Sequence, residues 1–247
     1  TGSVTDLNNY LNTASNLTYL HGTPLTNGDN ADTIQVNVND NGNTGTGGGT
    51  NIDLGTVNVD IGAVNDAPVN TVPGTQTIAE ETSTGISGIS IADVDAAAAN
   101  LTTRLQVSNG IVNVTLSGSA TISAGSNGTA DMTIQGSVTD INATLASLTY
   151  TGNTDVVGTA ADTLTVTTND LGNTGSGGAK QDADNIQIDI TAVNDAPVVT
   201  APGSALSATE QVSLSIEGTG FSVSDVDEAG SGATATLNVG EGAITVV

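Results

Sequence analysis

The hexapeptide VNDAPV at residues 64–69 recurs unchanged at residues 193–198, an interval of 129 residues. Two further matches keep a similar interval: GSVTDLN at 2–8 returns as GSVTDIN at 136–142, and DNGNTG at 40–45 returns as DLGNTG at 170–175. Self-similarity at a steady spacing is the sequence signature of a repeat protein, in which each module packs against its neighbours. The chain is therefore a tandem array.

The recurring Asn-Asp-Ala-Pro marks the module boundaries. Cutting after each copy divides the chain into residues 1–68, 69–197 and 198–247. These segments correspond to the C-terminal part of a first repeat, a complete repeat and the N-terminal part of a third repeat. Because the chain starts and stops inside its repeats, we expect it to be a window on a longer array. Successive modules of this kind form a quasi-one-dimensional rod.

The complete repeat has the two-residue periodicity of β-strands. Residues 163–167 (TLTVT) and 186–190 (IQIDI) alternate apolar and polar side chains, as half-buried strands do. Asn109-Gly110 lies between two apolar runs and predicts a type I′ hairpin, whose central positions need positive φ. With about seven or eight strands in each repeat of about 130 residues, we predict an all-β fold of tandem Ig-like or cadherin-like Greek-key β-sandwiches. The alanine run at 96–99 allows one short helical turn.

Composition excludes several functional classes. The 26 acidic residues outnumber two basic ones, Arg104 and Lys180, and the formal net charge of −24 repels nucleic acid and anionic membranes. Cysteine is absent, and no stretch has the pattern of a membrane helix or a signal peptide, so we expect any targeting signal outside this segment. The only histidine, His21, has no counterpart in the complete repeat, and the acid pairs recur at repeat spacing instead of converging in one cleft. We therefore predict a protein that is not an enzyme.

The acidic residues concentrate at equivalent positions of the repeats. They occur early in the repeats, as Asp-x-Asp after an apolar strand, before Gly-rich loops and at the Asn-Asp boundaries. Clusters of carboxylate and amide oxygens suit hard cations, and Ca²⁺ accepts about six to eight oxygen ligands. Zinc and copper lack their usual ligands here. The alternative is structural, because Asp and Asn at strand ends also form turns through side-chain to backbone hydrogen bonds.

The order of these motifs resembles that of a known family. A Glu in the first strand, Ala-Asp-x-Asp followed by Asn100, Asn-Asp-Leu-Gly at 169–172 and Val-Asn-Asp-Ala-Pro look like the calcium-ligand series of cadherin-like repeats. The TDIN at 139–142 followed by LTY at 148–150 also resembles the chondroitin-sulfate-proteoglycan-type repeat. Both repeats belong to the repetitive regions of very large bacterial surface adhesins, and the resemblance extends over the whole chain.

The resemblance implies calcium between successive domains. At the first junction, around residues 64–68, the implied ligands are Asn65, Asp66, Asp93, Asp95, Asn100 and Asp170. At the second junction, around residues 193–197, they are Glu80 or Glu81, Asn194, Asp195, Asp225 and Asp227, with a late Asp expected beyond residue 247. The linker has one Asn-Asp where cadherins usually have Asn-Asp-Asn, and the Leu-Asp-Arg-Glu motif is missing. These departures predict fewer ions per junction or a different arrangement.

Together these patterns predict a calcium-stiffened extender segment of an extracellular adhesin on a bacterial cell surface. Its partners would be the neighbouring repeats of the same chain, with no nucleic acid and no membrane insertion. The alternative is a filament subunit, because residues 198–247 of one chain could complete a sandwich with residues 1–68 of the next, with Val247 close to Thr1.

The glycine clusters and Lys180 lie in loops, and neither requires a calcium-binding β-helix or a covalent crosslink to explain it. The glycines at 47–49 and 177–178 predict flexible loops, because one isolated copy per repeat cannot build the β-helix of calcium-binding nonapeptide repeats. Lys180 also lies in a Gly-rich loop, where we expect an ionic or solubilising role in place of a Lys-Asn crosslink.

Overall fold

The computed structural model describes residues 1–22, 27–42, 49, 51–228, 230 and 232–245, and for residues 51–54 the backbone alone. Strands dominate this part of the chain, so the predicted all-β class is confirmed. The elements are α1 (Val4–Leu11), β1 (Gly28–Asn39), β2 (Asn51–Ile61), β3 (Val69–Thr71), β4 (Gln76–Ala79), β5 (Thr84–Gly85), β6 (Ser90–Ala92), β7 (Leu101–Gln106), β8 (Gly110–Asn113), β9 (Thr121–Gly125), β10 (Asp131–Gly136), α2 (Val138–Leu145), β11 (Thr149–Gly152), β12 (Gly158–Asn169), β13 (Gln181–Thr191), β14 (Val198–Thr200) and β15 (Ser222–Ser224). None of the described helices has the length and apolar character needed to cross a bilayer.

The complete repeat folds around two main sheets. A six-stranded sheet has the order β4-β13-β12-β7-β10-β9, and a three-stranded sheet has the order β5-β11-β8. Strand pairs in both sheets are antiparallel except β4, which runs parallel to β13. Both sheets and α2 contribute to one apolar core, which includes Leu105, Val112, Met132, Leu145, Tyr150, Leu164 and Ile188. The sheets therefore enclose a common interior.

Strands β12 and β13 follow the predicted alternation. Leu164 and Val166 of β12 are buried, as are Ile186, Ile188 and Ile190 of β13, and the residues between them are wholly or partly exposed. Each buried branched side chain stabilises the fold by about 1.5–3 kcal/mol relative to its exposed state. The two-residue pattern at 163–167 and 186–190 is thus confirmed.

The predicted hairpin at Asn109-Gly110 is wrong. Strand β7 pairs with β10 and β12, whereas β8 pairs with β11, so the chain passes from one sheet to the other between these strands. A Cβ atom on Gly110 would lie 2.6 Å from atoms of the Tyr150 ring. The glycine is required by this close approach of backbone to ring, and not by a type I′ turn.

Helical structure lies at residues for which no helix was predicted. Ser137 is the N-cap of α2, and its Oγ accepts a hydrogen bond from the N–H of Asp140 at 3.2 Å. Helix α1 has the same cap, with Ser3 and Asp6 in a reciprocal capping box. At the alanine run, Ala97 has a φ of 45°, so this segment forms a reverse turn in place of a helical one.

The buried Asp162 connects the segment between β7 and β8 to the six-stranded sheet through hydrogen bonds. The carboxylate of Asp162 accepts hydrogen bonds from the N–H groups of Ser108, Asn109 and Thr163 at 3.0, 2.9 and 2.7 Å. The Tyr150 hydroxyl donates to the same carboxylate at 2.8 Å. This carboxylate therefore takes four donors from three separate segments.

The first segment repeats part of this arrangement without its covering strands. Tyr19 donates to Asp32 at 2.8 Å, as Tyr150 does to Asp162, but the pair is exposed. Strands β1 and β2 pair as β12 and β13 do, with Ile34 opposite Val57 where the complete repeat has Leu164 opposite Ile186. The apolar residues Ile34, Val36, Val38 and Val57 are exposed. At the other end of the chain, β14 pairs with β15 in the way that β3 pairs with β6.

Candidate metal centre

Three carboxylates meet at the second junction. Glu80 follows β4 in the complete repeat, Asp195 lies in the linker after β13, and Asp227 follows β15 in the third segment. One carboxylate oxygen from each lies within 4.8 Å of the others. We call these three residues the carboxylate cluster. It is the only group of at least three potential metal ligands this close together in the described residues.

Glu80 is held in place by the parallel pairing of β4 with β13. Its N–H donates to the carbonyl oxygen of Thr191 at 3.0 Å, and its Oε1 accepts from the N–H of Val193 at 3.0 Å. The side chain is only 1% exposed, yet Oε2 has no hydrogen-bond partner. Because a buried carboxylate oxygen without a donor is costly, Oε2 is a strong candidate for a cation ligand.

Asp195 and Asp227 are linked directly. The N–H of Asp195 donates to Oδ2 of Asp227 at 2.5 Å, and the N–H of Asp227 donates to Oδ1 of Asp225 at 3.0 Å. Asp225 thereby positions Asp227 from outside the cluster. Oδ2 of Asp195 is buried and, like Oε2 of Glu80, has no partner.

The negative charge of the carboxylate cluster is not balanced by a basic side chain among the described residues. Burial raises the pKa of Asp195, and the charges of Glu81, Asp227, Asp155 and Glu80 raise it further. The two basic side chains of the protein are engaged elsewhere: Arg104 pairs with Asp131 at 2.5 Å, and Lys180 contacts Asn65. A bound cation would therefore supply charge compensation that the described side chains do not.

The donor set fits a hard cation. Every candidate ligand atom in the cluster is a carboxylate oxygen, with neither sulfur nor imidazole nitrogen among them. Such oxygens suit Ca²⁺ and Mg²⁺, whereas zinc and copper favour nitrogen and sulfur ligands. A divalent cation would bring together groups that repel one another without it.

Asp155 contributes to this acidic environment, although the repeat comparison did not select it. It lies in the loop after β11 with a φ of 62°. In the same loop the Thr154 hydroxyl donates to Oε1 of Glu81 at 2.7 Å, so Glu81 is turned towards this loop. No Asp follows Tyr19 at the same distance in the first repeat, so recurrence could not identify Asp155. The effect of its charge on the pKa of Asp195 is the only signal.

The first junction repeats the backbone geometry of the second. The N–H of Asp66 donates to Oδ2 of Asp95 at 2.5 Å, and the N–H of Asp95 donates to Oδ1 of Asp93 at 2.9 Å. These bonds match the Asp195–Asp227 and Asp227–Asp225 contacts. Oδ2 of Asp93 is buried without a partner. The Asp-x-Asp motif thus accepts a hydrogen bond from the preceding linker in the same way at both junctions.

The two linker asparagines differ. Asn65 is buried, and its side-chain amide donates to Oδ2 of Asp170 at 2.6 Å and to the carbonyl oxygen of Gly178 at 2.9 Å. Burial alone would raise the pKa of Asp170, but hydrogen bonds from the N–H groups of Lys180 and Gly172 and from Asn65, with the Lys180 charge, hold it below its ordinary value. Asn194 is exposed and donates to the carbonyl oxygen of Asp195 at 2.9 Å.

Other sequence-derived candidates lie apart from the carboxylate cluster. Asn100 is exposed, and its main-chain carbonyl accepts a hydrogen bond from the side chain of Asn173. His21 stacks on Tyr19, with ring centroids 6.4 Å apart. The predicted loop glycines 47 and 48, and Val247 of the predicted head-to-tail contact, lie outside the described residues.

Acidification should weaken cation binding at the carboxylate cluster. Because the pKa of Asp195 is raised, protons compete for its carboxylate at a higher pH than they would for an ordinary Asp. The metal-free protein gains relative stability from this group as pH falls through the raised pKa, and the metal-bound protein loses affinity over the same range. Calcium titration by calorimetry between pH 7 and pH 4.5 measures the decline. Asp195→Asn should weaken binding and flatten the pH dependence; an unchanged pH dependence in that variant would remove Asp195 from the site.

Comparison with known proteins identifies no relative: no protein-family model and no curated protein matches this chain. The functional interpretation rests on the repeated junction geometry and on the chemistry of the carboxylate cluster.

Proposed function

We propose that the chain is a non-catalytic extender segment of a repetitive extracellular adhesin on a bacterial cell surface, in which calcium stiffens the junctions between Greek-key β-sandwich repeats. One observation carries the proposal: two members of the carboxylate cluster, Glu80 and Asp195, each have a buried carboxylate oxygen without a hydrogen-bond partner. The three residues come from one repeat, its linker and the next repeat. A cation bound by them would join two modules.

Charge supplies the mechanism of stiffening. Without a cation, the carboxylates of Glu80, Asp195 and Asp227 repel one another, and the linker between the modules is loosened. A cation replaces that repulsion with attraction to a common centre. For an extracellular calcium module with a Kd of about 10⁻⁴–10⁻³ M in millimolar to ten-millimolar calcium, mass action stabilises each junction by about 0.4–2.7 kcal/mol. Such a junction stiffens reversibly.

Calcium suits this site better than magnesium. Mg²⁺ demands near-ideal octahedral geometry and gives up its water reluctantly, whereas Ca²⁺ accepts irregular sets of carboxylate, carbonyl and water oxygens. The carboxylates of the cluster come from three separate segments, which are the end of β4, the linker after β13 and the Asp-x-Asp motif after β15. Calcium tolerates such a set without requiring ideal octahedral placement. Main-chain carbonyls and water would complete the coordination.

Small-angle X-ray scattering on the whole chain tests the proposal. The largest dimension and the radius of gyration should increase when calcium replaces chelator at constant ionic strength, because the third segment is fixed relative to the complete repeat. Magnesium at the same concentration serves as the control and should have a smaller effect. Identical scattering curves in calcium and chelator would contradict a calcium-stiffened junction.

A second candidate function, a subunit of a head-to-tail filament, is favoured by the apolar face of the β1–β2 ribbon. Ile34 and Val57 are 42% and 57% exposed, whereas their counterparts Leu164 and Ile186 are buried in the complete repeat. Residues 198–247 of another copy would cover this face. Sedimentation velocity over a hundredfold range of concentration tests the idea: growing species favour a filament, and a constant monomer contradicts it.

A further inference from the structure

The only lysine of the protein lies at the first junction. The Lys180 ammonium donates a hydrogen bond to the main-chain carbonyl oxygen of Asn65. Its own N–H donates to Oδ1 of Asp170 at 2.7 Å, and the carbonyl oxygen of Lys180 accepts from the N–H of Asp170 at 3.1 Å. Lys180 is thus fixed at its backbone by the carboxylate that also holds the Asn65 side chain.

The loop at residues 170–180, which we call the docking loop, is shaped to hold the linker. The N–H of Asn65 donates to the carbonyl oxygen of Ser176, and the N–H of Ser176 donates to that of Ala63, both at 2.9 Å. Gly175 has a φ of 96°, and a Cβ atom there would lie 2.7 Å from the backbone nitrogen of Asn65. The linker therefore lies directly on the loop backbone.

The sequence contains a second copy of this loop, at residues 40–50. Alignment of Asp40 with Asp170 places Thr50, which lies outside the described residues, at the position of Lys180. In the complete repeat, the ammonium of Lys180 supplies a positive charge within the docking loop, and this charge helps to lower the pKa of Asp170.

We propose that Lys180 is a protein-borne counter-cation that keeps the first linker docked on the docking loop without metal. The ammonium of Lys180 and the backbone hydrogen bonds between the linker and Ser176 hold this contact, so it persists when calcium is low.

Backbone hydrogen exchange in the whole chain, followed by NMR, tests the inference. In chelator, the amides of Asn65 and Ser176 should exchange slowly, whereas the amide of Asp195 should exchange quickly and gain protection when calcium is added. Lys180→Thr should speed exchange at Asn65 and Ser176 in chelator by about tenfold, the change expected for loss of one hydrogen bond to a charged group. The charge-preserving Lys180→Arg should retain most of the protection.

Equal protection of Asn65 in the native protein and in Lys180→Thr, both in chelator, would overturn the role of Lys180. Rapid exchange of Asn65 in the native protein in chelator would overturn it as well. The buried amides of Leu164 and Ile188 report whether each variant is folded. A calcium response absent at Asp195 contradicts the proposed function instead, since the effect of Lys180 on Asn65 is read in chelator.

Discussion

Asp162→Ala should destabilise the complete repeat by about 3 kcal/mol or more. The substitution leaves the backbone N–H groups of Ser108, Asn109 and Thr163 and the hydroxyl of Tyr150 without their common acceptor. Each buried donor left unsatisfied costs about 1–3 kcal/mol, and water entering the space offsets part of the sum. Urea unfolding followed by the fluorescence of the tyrosines measures the change.

Two variants make the Asp162 prediction specific. Asp32→Ala removes the equivalent carboxylate of the first segment, where the Tyr19–Asp32 pair is exposed, and should cost less than about 1 kcal/mol. Tyr150→Phe removes one donor from Asp162 and should cost about 1 kcal/mol. Equal effects of Asp162→Ala and Asp32→Ala would show that burial of the carboxylate does not determine its contribution.

Glu80→Gln should lower calcium affinity by about tenfold or more. The side-chain oxygen of glutamine can still accept from the N–H of Val193, so the backbone contact survives while the negative charge at the unpartnered Oε2 is lost. Calcium affinity depends strongly on the number of charged ligands. Isothermal titration calorimetry at pH 7 measures the difference.

The matched control for Glu80 is Glu210→Gln. Glu210 occupies the early acidic position of the third repeat, but it is exposed. Its replacement should leave calcium affinity within about twofold of the native value, because it removes a single screened surface charge. In the absence of calcium, Glu80→Gln should be at least as stable as the native protein, since a repelling buried charge is gone. Equal calcium affinity of Glu80→Gln and the native protein would remove Glu80 from the site.

The β12–β13 strand pair and the Asp-x-Asp motifs at the two junctions could be predicted, because their sequence signals are local and recur. Alternation at 163–167 reports which face of β12 is buried, and the Asp-x-Asp motif at 225–227 recurs with the same backbone contacts as its counterpart at 93–95. Recurrence also selected both Asp195 and Asp227, which lie together in the carboxylate cluster. Comparison of the repeats therefore identifies residues whose role recurs at equivalent positions.

The passage of the chain from one sheet to the other between β7 and β8, and the role of Asp155, could not be predicted, because neither has a local signal that recurs. Asn109-Gly110 has the local chemistry of a hairpin, but Asp162, more than 50 residues away, captures the N–H of Asn109, and the Tyr150 ring packs against Gly110. Long-range hydrogen bonds override turn propensity here. Asp155 has no counterpart in the first repeat, and the contact of Lys180 with Asn65 depends on the fold of the docking loop against the linker.

Cation binding by Glu80, Asp195 and Asp227 is the central claim, and a calcium titration followed by backbone NMR tests it most directly. We expect saturable shifts that are largest at the amides of Glu80, Val193, Asp195 and Asp227, with much smaller shifts at the exposed Glu210. We also expect Glu80→Gln to suppress these shifts. Spectra that do not change with calcium, or small shifts spread evenly over exposed acidic residues, would contradict it.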